Sequence, residues 1–317
     1  MSLKKGLRVL DTPHIPVLYR EVVSAFEGSE EGIIVDCTMG YGGHSSLLLD
    51  AYPNITLIGI DQDQTAIDFS TQRLAKYGDR VIIKKGRFSD VIKEILDTYD
   101  VSQIRGILAD IGVSSLQLDQ RERGFSFESD VLDMRMNPDA PLSAADVVNT
   151  YDQKALEDIL YQYGELNNSR KLASVILANR PFHSAKELAD CIKPYMPKGK
   201  KIHPATLLMQ AIRIEVNDEL GELQRLLDAI ESSPMLTCKV GIISFHSLED
   251  RIVKQRFSAW AKKCICPPEF MRCECGNNNA KGKIISKKPI MALADELKAN
   301  ARSRSAKLRV FKREVYE

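Results

Sequence analysis

Asp36, the run Gly40, Gly42, Gly43, His44, and Asp61 are residues whose types and spacing suit a nucleoside ligand. Ile33-Ile34-Val35-Asp36 reads as a buried strand ending in an acid, and the glycines that follow open into a helix. Glycine has no side chain, so such a loop lets a ligand touch bare backbone. A second apolar run, Thr56-Leu57-Ile58-Gly59-Ile60, also ends in an acid, Asp61. An acid at the end of the second strand holds ribose hydroxyls in nucleotide-binding βαβ units. The spacing then separates the cofactors. A dinucleotide site calls for G-x-G-x-x-G with the pyrophosphate on the helix N-terminus. Here His44 follows Gly43, and neither a third glycine at the right offset nor a phosphate-loop lysine is present. Asp36 would repel a pyrophosphate but suits a cation. S-adenosylmethionine, with its sulfonium and ammonium groups, is such a ligand.

These residues need a scaffold. The periodicity predicts a helix over Gln64–Tyr77, a strand at Arg80–Lys84, a helix from about Asp90 to Leu96 and a strand at Gly106–Asp110. Strands alternating with helices of this length imply a parallel sheet with right-handed crossovers. From about Ser114 to Arg213 no strand pattern is found. Ser143-Ala144-Ala145-Asp146 and Ser184-Ala185-Lys186-Glu187 read as capping boxes, the second the better match. A long amphipathic helix is expected over roughly Ala205–Ile230. Strand character returns at Lys239–His246, and two more strands are expected near Lys283–Ser286 and Lys307–Lys312. The expected domains are residues 1–120 and 213–317, forming one α/β unit, with 121–212 an inserted all-helical unit.

The chain has 317 residues, 44% hydrophobic and 27% charged, ordinary values for a globular protein. No apolar run approaches the ~20 residues of a membrane span. The first residues lack the apolar core of a secretory signal, so a cytoplasmic location is expected. The net charge of +1 conceals an asymmetry. Residues 251–317 hold 17 Lys and Arg against 6 Asp and Glu, a net of +11, which leaves −10 for the rest. A basic tail on an acidic body suggests contact with a polyanion, with Arg302, Arg304 and Lys307 as candidate phosphate contacts.

Several blocks together resemble one family. They are His14-Ile15-Pro16-Val17-Leu18, Gly42-Gly43-His44, the run Asp110–Asp119, Glu122–Phe127, Leu132–Met136, His203-Pro204-Ala205-Thr206, Val216–Leu220 and Ile243–Arg251. Over nearly its whole length the chain resembles the ribosomal RNA small subunit methyltransferase H family. The resemblance implies a class I methyltransferase fold, Rossmann-like and mostly parallel, with an inserted helical domain. It implies S-adenosylmethionine-dependent methylation of N4 of a cytidine in the decoding region of 16S rRNA, within the small subunit or its precursor. The cofactor contacts it carries over are Gly42, Gly43, His44, Asp61, Phe88, Asp110 and Gln117. Two positions depart from the family pattern. Leu207 stands where arginine usually follows His-Pro-Ala-Thr, and Ala109 where the residue before the aspartate is usually larger.

The chemistry is an in-line displacement at a sulfonium methyl by a weak nucleophile, since the N4 lone pair is delocalised into the ring. An enzyme must position the amine and accept its proton. Asp110, at the end of the fourth strand, is the leading candidate catalytic residue; His246 and Asp250 stand behind it. Phe88 suits stacking on adenine or a core position. Cys264, Cys266, Cys273 and Cys275 form C-x-C, six residues, C-x-C. Four thiolates can enclose tetrahedral zinc, and reduced thiols or a disulfide fit the sequence as well. No metal ligand is assigned from the sequence. The competing functional readings are an rRNA-binding assembly factor that binds S-adenosylmethionine without transferring methyl, and a nicotinamide oxidoreductase.

Overall fold

The structure is a computed structural model that describes residues 15–195, 205–233, 236–270 and 272–314. His14, His203 and Pro204 of the sequence blocks lie outside them. The chain divides into two compact units, one made of residues up to 112 and from 222 onward, the other of residues 113–221.

The first unit is built on a seven-stranded sheet. In chain order the strands are β1 (Glu31–Asp36), β2 (Asn54–Asp61), β3 (Val81–Lys85), β4 (Ile104–Asp110), β5 (Lys239–Ser244), β6 (Gly282–Ile284) and β7 (Lys307–Arg313). Their spatial order is β3-β2-β1-β4-β5-β7-β6. The first five are parallel, and β7 is antiparallel to both β5 and β6. Both faces are covered, as parallel sheets require. Successive residues point to opposite faces, so each strand feeds two cores. Val35, Ile58, Ile107 and Ile242 join Ile92, Leu227, Phe257 and Trp260 on one side. Ile34, Leu57, Leu108 and Ile243 join Phe26, Leu48 and Leu74 on the other. The chain runs outward from β1 through β2 to β3, then returns to place β4 on the other flank of β1. That reversal makes the carboxyl ends of β1 and β4 the switch point, where open α/β sheets bind ligands.

Helix starts follow local chemistry. The helix Gln64–Leu74 is capped by Asp63, whose carboxylate accepts from Thr65 N. Leu74 is followed by a tight 3-10 segment to Arg80, which takes up the last residues expected to be helical. The helix Ser247–Trp260 begins at His246, which forms a capping box with Glu249.

The second unit is helical, with no strand among its described residues. Its helices include Ala144–Thr150, Gln153–Gln162, Ser169–Ala178, Ala185–Ile192 and Thr206–Asn217. Both expected capping boxes form, Ser143 with Asp146 and Ser184 with Glu187. Its edges lie at 113 and 221, against the expected 121 and 212. The physical reason is packing: Val113 and Leu118 lie against the helical core, and Leu208, Met209, Ile212 and Val216 are members of it. Leu207, the departure from the family pattern, packs against the same core. The Leu132–Met136 block is an irregular segment, left-handed at Met134 (φ 59°), held by polar staples. Asn217 donates to Met134 O and accepts from Met136 N, both at 2.8 Å, and Arg123 donates to the carbonyls of Arg135 and Met136.

The single long helix expected over Ala205–Ile230 is two. Thr206–Asn217 and Glu219–Ser232 are separated by Asp218, which takes left-handed backbone angles (φ 49°). No described helix is long and apolar enough to cross a membrane.

The basic tail is partly consumed by the fold. Arg309 makes a two-pronged pair with Asp250 at 2.7 and 3.1 Å, and Lys307 lies 3.9 Å from the same carboxylate. Arg256 pairs with Asp228 and Glu231, and Lys283 and Lys312 pair with Glu314. Lys307 thus lies beside a carboxylate that Arg309 already occupies. Beside these pairs Phe311 is fully buried, its ring centroid 5.2 Å from Phe257 and 5.3 Å from Trp260. This cluster ties β7 to the helix Ser247–Trp260. Phe311→Ala should destabilise the first unit by about 3–5 kcal/mol, because the rigid rings around it cannot collapse into the cavity. Chemical denaturation of the two proteins, with unchanged slope and lower midpoint, is the expected reading.

Candidate active site

The loop between β1 and the helix Gly43–Ala51 is fastened to the strands on either side. Cys37 N donates to Leu108 O on β4, and Met39 N to Ile60 O on β2. Gly40 N donates to the Asp61 carboxylate at 2.8 Å, and Asp110 N donates to Thr38 Oγ1 at 2.6 Å. Four hydrogen bonds thus gather Thr38, Gly40, Asp61 and Asp110 at the carboxyl ends of three neighbouring strands.

The glycines serve different ends. Gly42 is the N-cap residue at φ 69°, a conformation other residues adopt at a cost. Gly43 lies against Pro16, where an added Cβ would come within 2.6 Å of its ring. Among the described residues a Cβ on Gly40 would meet only Thr38 O, at 3.9 Å, so the loop is approachable there. Gly42 and Gly43 shape the loop, and Gly40 leaves its backbone open beside Asp61.

Three acids lie at these strand ends. Asp36 is buried and already engaged: it accepts from Ser45 Oγ at 2.7 Å and from Thr38 N at 3.2 Å. The expectation that its charge serves a cationic ligand directly is therefore not met; its oxygens stabilise the loop and the helix start. Asp61 accepts from Gly40 N and, at 2.8 Å, from Asp63 N. It is not the helix cap, a role Asp63 fills. Burial raises Asp61 from 3.8 to about 6 against the opposing pull of those two N–H groups. Its remaining lone pairs suit two ribose hydroxyls.

Asp110 is also pushed up from 3.8 to about 6, chiefly by burial, with His44 acting the other way and Asp36 and Glu249 adding to the rise. Its side chain is 23% exposed, yet Oδ1 is buried and has no hydrogen-bond partner among the described residues. A buried, unpartnered carboxylate oxygen is costly unless a donor or cation meets it. His44 flanks the other oxygen. Its Nε2 is 2.8 Å from Val17 O, and a carbonyl only accepts, so Nε2 carries the hydrogen. Nδ1 then faces Asp110 Oδ2 at 3.6 Å, too long for a hydrogen bond but near enough for charge to matter. His44 is buried, so its ring is fixed in place.

Phe88 begins the helix Phe88–Thr98 after β3; it is partly buried and packs against the core. Gln117 lies in the helical unit, in the short helix Ser115–Asp119, and accepts from Ser114 N at 3.0 Å. The structure joins Gly40–His44, Asp61 and Asp110 into one constellation within the first unit. His246 is a helix cap, and Asp250 is held by Arg309 below the usual carboxylate range, which makes it a poor proton acceptor. Thr38 and Ser45 escaped sequence reasoning, since a hydroxyl near a glycine loop carries no spacing signal.

The residues fit S-adenosylmethionine. Asp61 offers acceptors beside an open backbone, and Asp110 presents an unpaired buried oxygen where a cation or an amine would satisfy it. A parallel sheet reversed at β1/β4, a glycine loop after β1 and acids at the ends of β2 and β4 define a class I methyltransferase that uses S-adenosylmethionine. More particularly, the chain belongs to the MraW methylase family, whose model matches residues 11–314. It is 67% identical over 299 residues to the ribosomal RNA small subunit methyltransferase H of Sulfurimonas denitrificans, covering 94% of this chain and 97% of that protein. Proteins of the same name in Nitratiruptor sp. and Aliarcobacter butzleri are each 59% identical, covering 95% and 96% of this chain and 99% of each of those proteins.

The shifted carboxyl makes a prediction with two opposed signs. The folded state holds the Asp110 proton more tightly than the unfolded chain, about 6 against 3.8. Stability from this position is therefore full below pH ~4 and declines as pH rises through about 6. Asp110→Asn removes that decline. The variant should melt higher than the parent at pH 7.5 and match it more closely at pH 4.5, while methyl transfer falls by ~10²–10⁴-fold. Melting curves at the two pH values, with a transfer assay at saturating cofactor, check both signs.

Proposed function

We propose that this protein transfers a methyl group from S-adenosylmethionine to N4 of a cytidine in the decoding region of 16S rRNA, in the small subunit or its precursor. The observation that carries the chemistry is the buried Oδ1 of Asp110 beside the glycine loop, which has no hydrogen-bond partner among the described residues. Membership of the methylase family supports methyl transfer, and the shared name of the relatives supports rRNA of the small subunit as substrate.

S-adenosylmethionine supplies an electrophilic methyl group on a sulfonium. Asp61 holds the ribose hydroxyls, and the backbone at Gly40 lies against the nucleoside. Asp110 Oδ1 accepts a hydrogen bond from the exocyclic amine. This draws electron density onto N4 and fixes the lone pair toward the methyl carbon. As the N–C bond forms and the C–S bond breaks, N4 becomes cationic and gives one proton to Asp110, which passes it to solvent. With its proton affinity raised to about 6, Asp110 is a better acceptor than an ordinary aspartate and still largely ionised at neutral pH. His44 acts on Asp110 rather than on substrate, moderating its proton affinity from 3.6 Å. Gly42, Gly43, Phe88 and Gln117 remain cofactor contacts on the strength of the family resemblance.

RNA binding is assigned to those basic residues of the tail that the fold leaves outward. Lys287, Lys288 and Arg304 are exposed. Replacing all three by alanine should flatten the slope of log affinity against log salt by up to ~2–3 units, about one counterion per lost phosphate contact. Cofactor affinity should not change. An unaltered slope would place the RNA path elsewhere.

The function itself is tested by mass spectrometry of 16S rRNA fragments from cells lacking the gene. One decoding-region cytidine should lack a methyl group and regain it on incubation of the subunit with protein and cofactor. Cofactor binding without any methyl gain would favour an assembly factor over an enzyme.

A further inference from the structure

Between the helix Ser247–Trp260 and β6 runs a connection of 21 residues, 261–281, without helix or strand among those described. Loops of this length without regular structure are uncommon in compact domains. Its ends are tied: Lys281 N donates to Trp260 O at 2.7 Å, and Asn279 N to Lys263 O at 3.0 Å. Its interior has little to hold it by burial, for Ile265 and Phe270 are 61% and 48% exposed.

What converges inside the loop is sulfur. The thiol sulfurs of Cys264, Cys266, Cys273 and Cys275 all lie within 4.8 Å of one another. Cys264 to Cys273 is 3.6 Å, Cys273 to Cys275 is 3.6 Å and Cys264 to Cys275 is 3.8 Å. Four sulfurs each about 2.3 Å from a central zinc, at the corners of a tetrahedron, lie about 3.8 Å apart. An iron–sulfur cluster needs room for its own irons and sulfides between the thiolates. Two disulfides would instead draw the sulfurs into two pairs at about 2.05 Å.

The backbone repeats a pattern between the two arms. Ile265, the middle residue of the first C-x-C, donates its N–H to Cys275 Sγ at 3.3 Å. Glu274, the middle residue of the second, donates its N–H to Cys266 Sγ at 3.2 Å. The middle residue of each arm thus serves the last sulfur of the other. N–H donors on sulfur stabilise thiolates and orient them as metal ligands. Lys263 precedes Cys264, and Arg272 precedes Cys273. The anion Glu274 lies between Cys273 and Cys275.

We propose that Cys264, Cys266, Cys273 and Cys275 bind one zinc ion as a structural tetrathiolate that closes the loop 261–281. Four protein ligands leave no open position, so the ion has no part in methyl transfer. Each thiol releases its proton to solvent as the ion binds. Binding to the folded loop alone adds to stability by mass action. The proposal is independent of the substrate assigned above.

The test uses the full-length, untagged protein, purified without chelator. Elemental analysis should find about one zinc per chain. A mercurial thiol reagent should release it to a zinc indicator in step with the modification of four thiols. Cys264→Ser and Cys275→Ser should each lower the zinc content at least ten-fold, while cofactor affinity stays within two-fold. Removing the ion from the parent should speed proteolytic nicking between residues 261 and 281 at least ten-fold. Where a variant fails to fold, metal content and mercurial release of the parent still decide. Zinc below a tenth of an ion per chain, stoichiometric iron, or a mass showing disulfides among the four cysteines overturns the proposal. So does zinc retained in both serine variants.

Discussion

The loop after β1 is held by three strands at once, and the site depends on that fastening. Thr38, Met39 and Gly40 are bonded to Asp110, Ile60 and Asp61, residues far apart in sequence. No one of these bonds adds more than about 1–3 kcal/mol to stability. Their effect is geometric: the loop backbone and the acids Asp61 and Asp110 cannot move separately. Parallel strands make this possible by ending on the same edge, and the reversal between β1 and β4 opens the crevice there.

The same edge collects negative charge. Asp36, Asp61 and Asp110 are all withdrawn from water, and burial pushes each of them up from the ordinary aspartate value. Asp36 adds to the rise of both others. Asp36 has its two oxygens met by a hydroxyl and a backbone N–H, and Asp61 by two backbone N–H groups. Asp110 keeps a buried oxygen without a hydrogen-bond partner among the described residues. An edge built in this way costs stability in the free protein and gains most from a ligand that is cationic near Asp110 and rich in hydroxyls near Asp61. Specificity for a sulfonium cofactor over a pyrophosphate-bearing one then follows from the sign of the field, beyond the glycine spacing alone.

Much of this was legible in the sequence because it is written in local patterns. The apolar runs ending in Asp36, Asp61 and Asp110 mark the strand ends, and the glycines mark the loop. Ser143 and Ser184 mark helix starts. What was not legible depends on contacts between distant residues. The pairing of Asp36 with Ser45 reverses that acid's expected role, and nothing in the spacing distinguishes a ligand-facing acid from an inward one. Lys307 reads as a candidate phosphate contact until Asp250, from another element, is seen beside it and paired with Arg309. The helix break at Asp218 lacks glycine or proline, the usual signals. The edges of the helical unit shifted because Val113, Leu118 and Val216 pack with it, a matter of tertiary contact.

The central claim is that buried, partly protonated carboxylates at this edge are completed by a cationic cofactor. Calorimetric titration with S-adenosylmethionine at pH 6, in two buffers of different ionisation enthalpy, measures it directly. Binding a cation beside Asp110 and Asp61, both near half-titration at that pH, should expel about half a proton to one proton per chain. The release should fade at pH 8, where both groups are already ionised, and shrink with S-adenosylhomocysteine, which lacks the sulfonium charge. A binding enthalpy identical in the two buffers at pH 6, or proton uptake in place of release, would contradict the account.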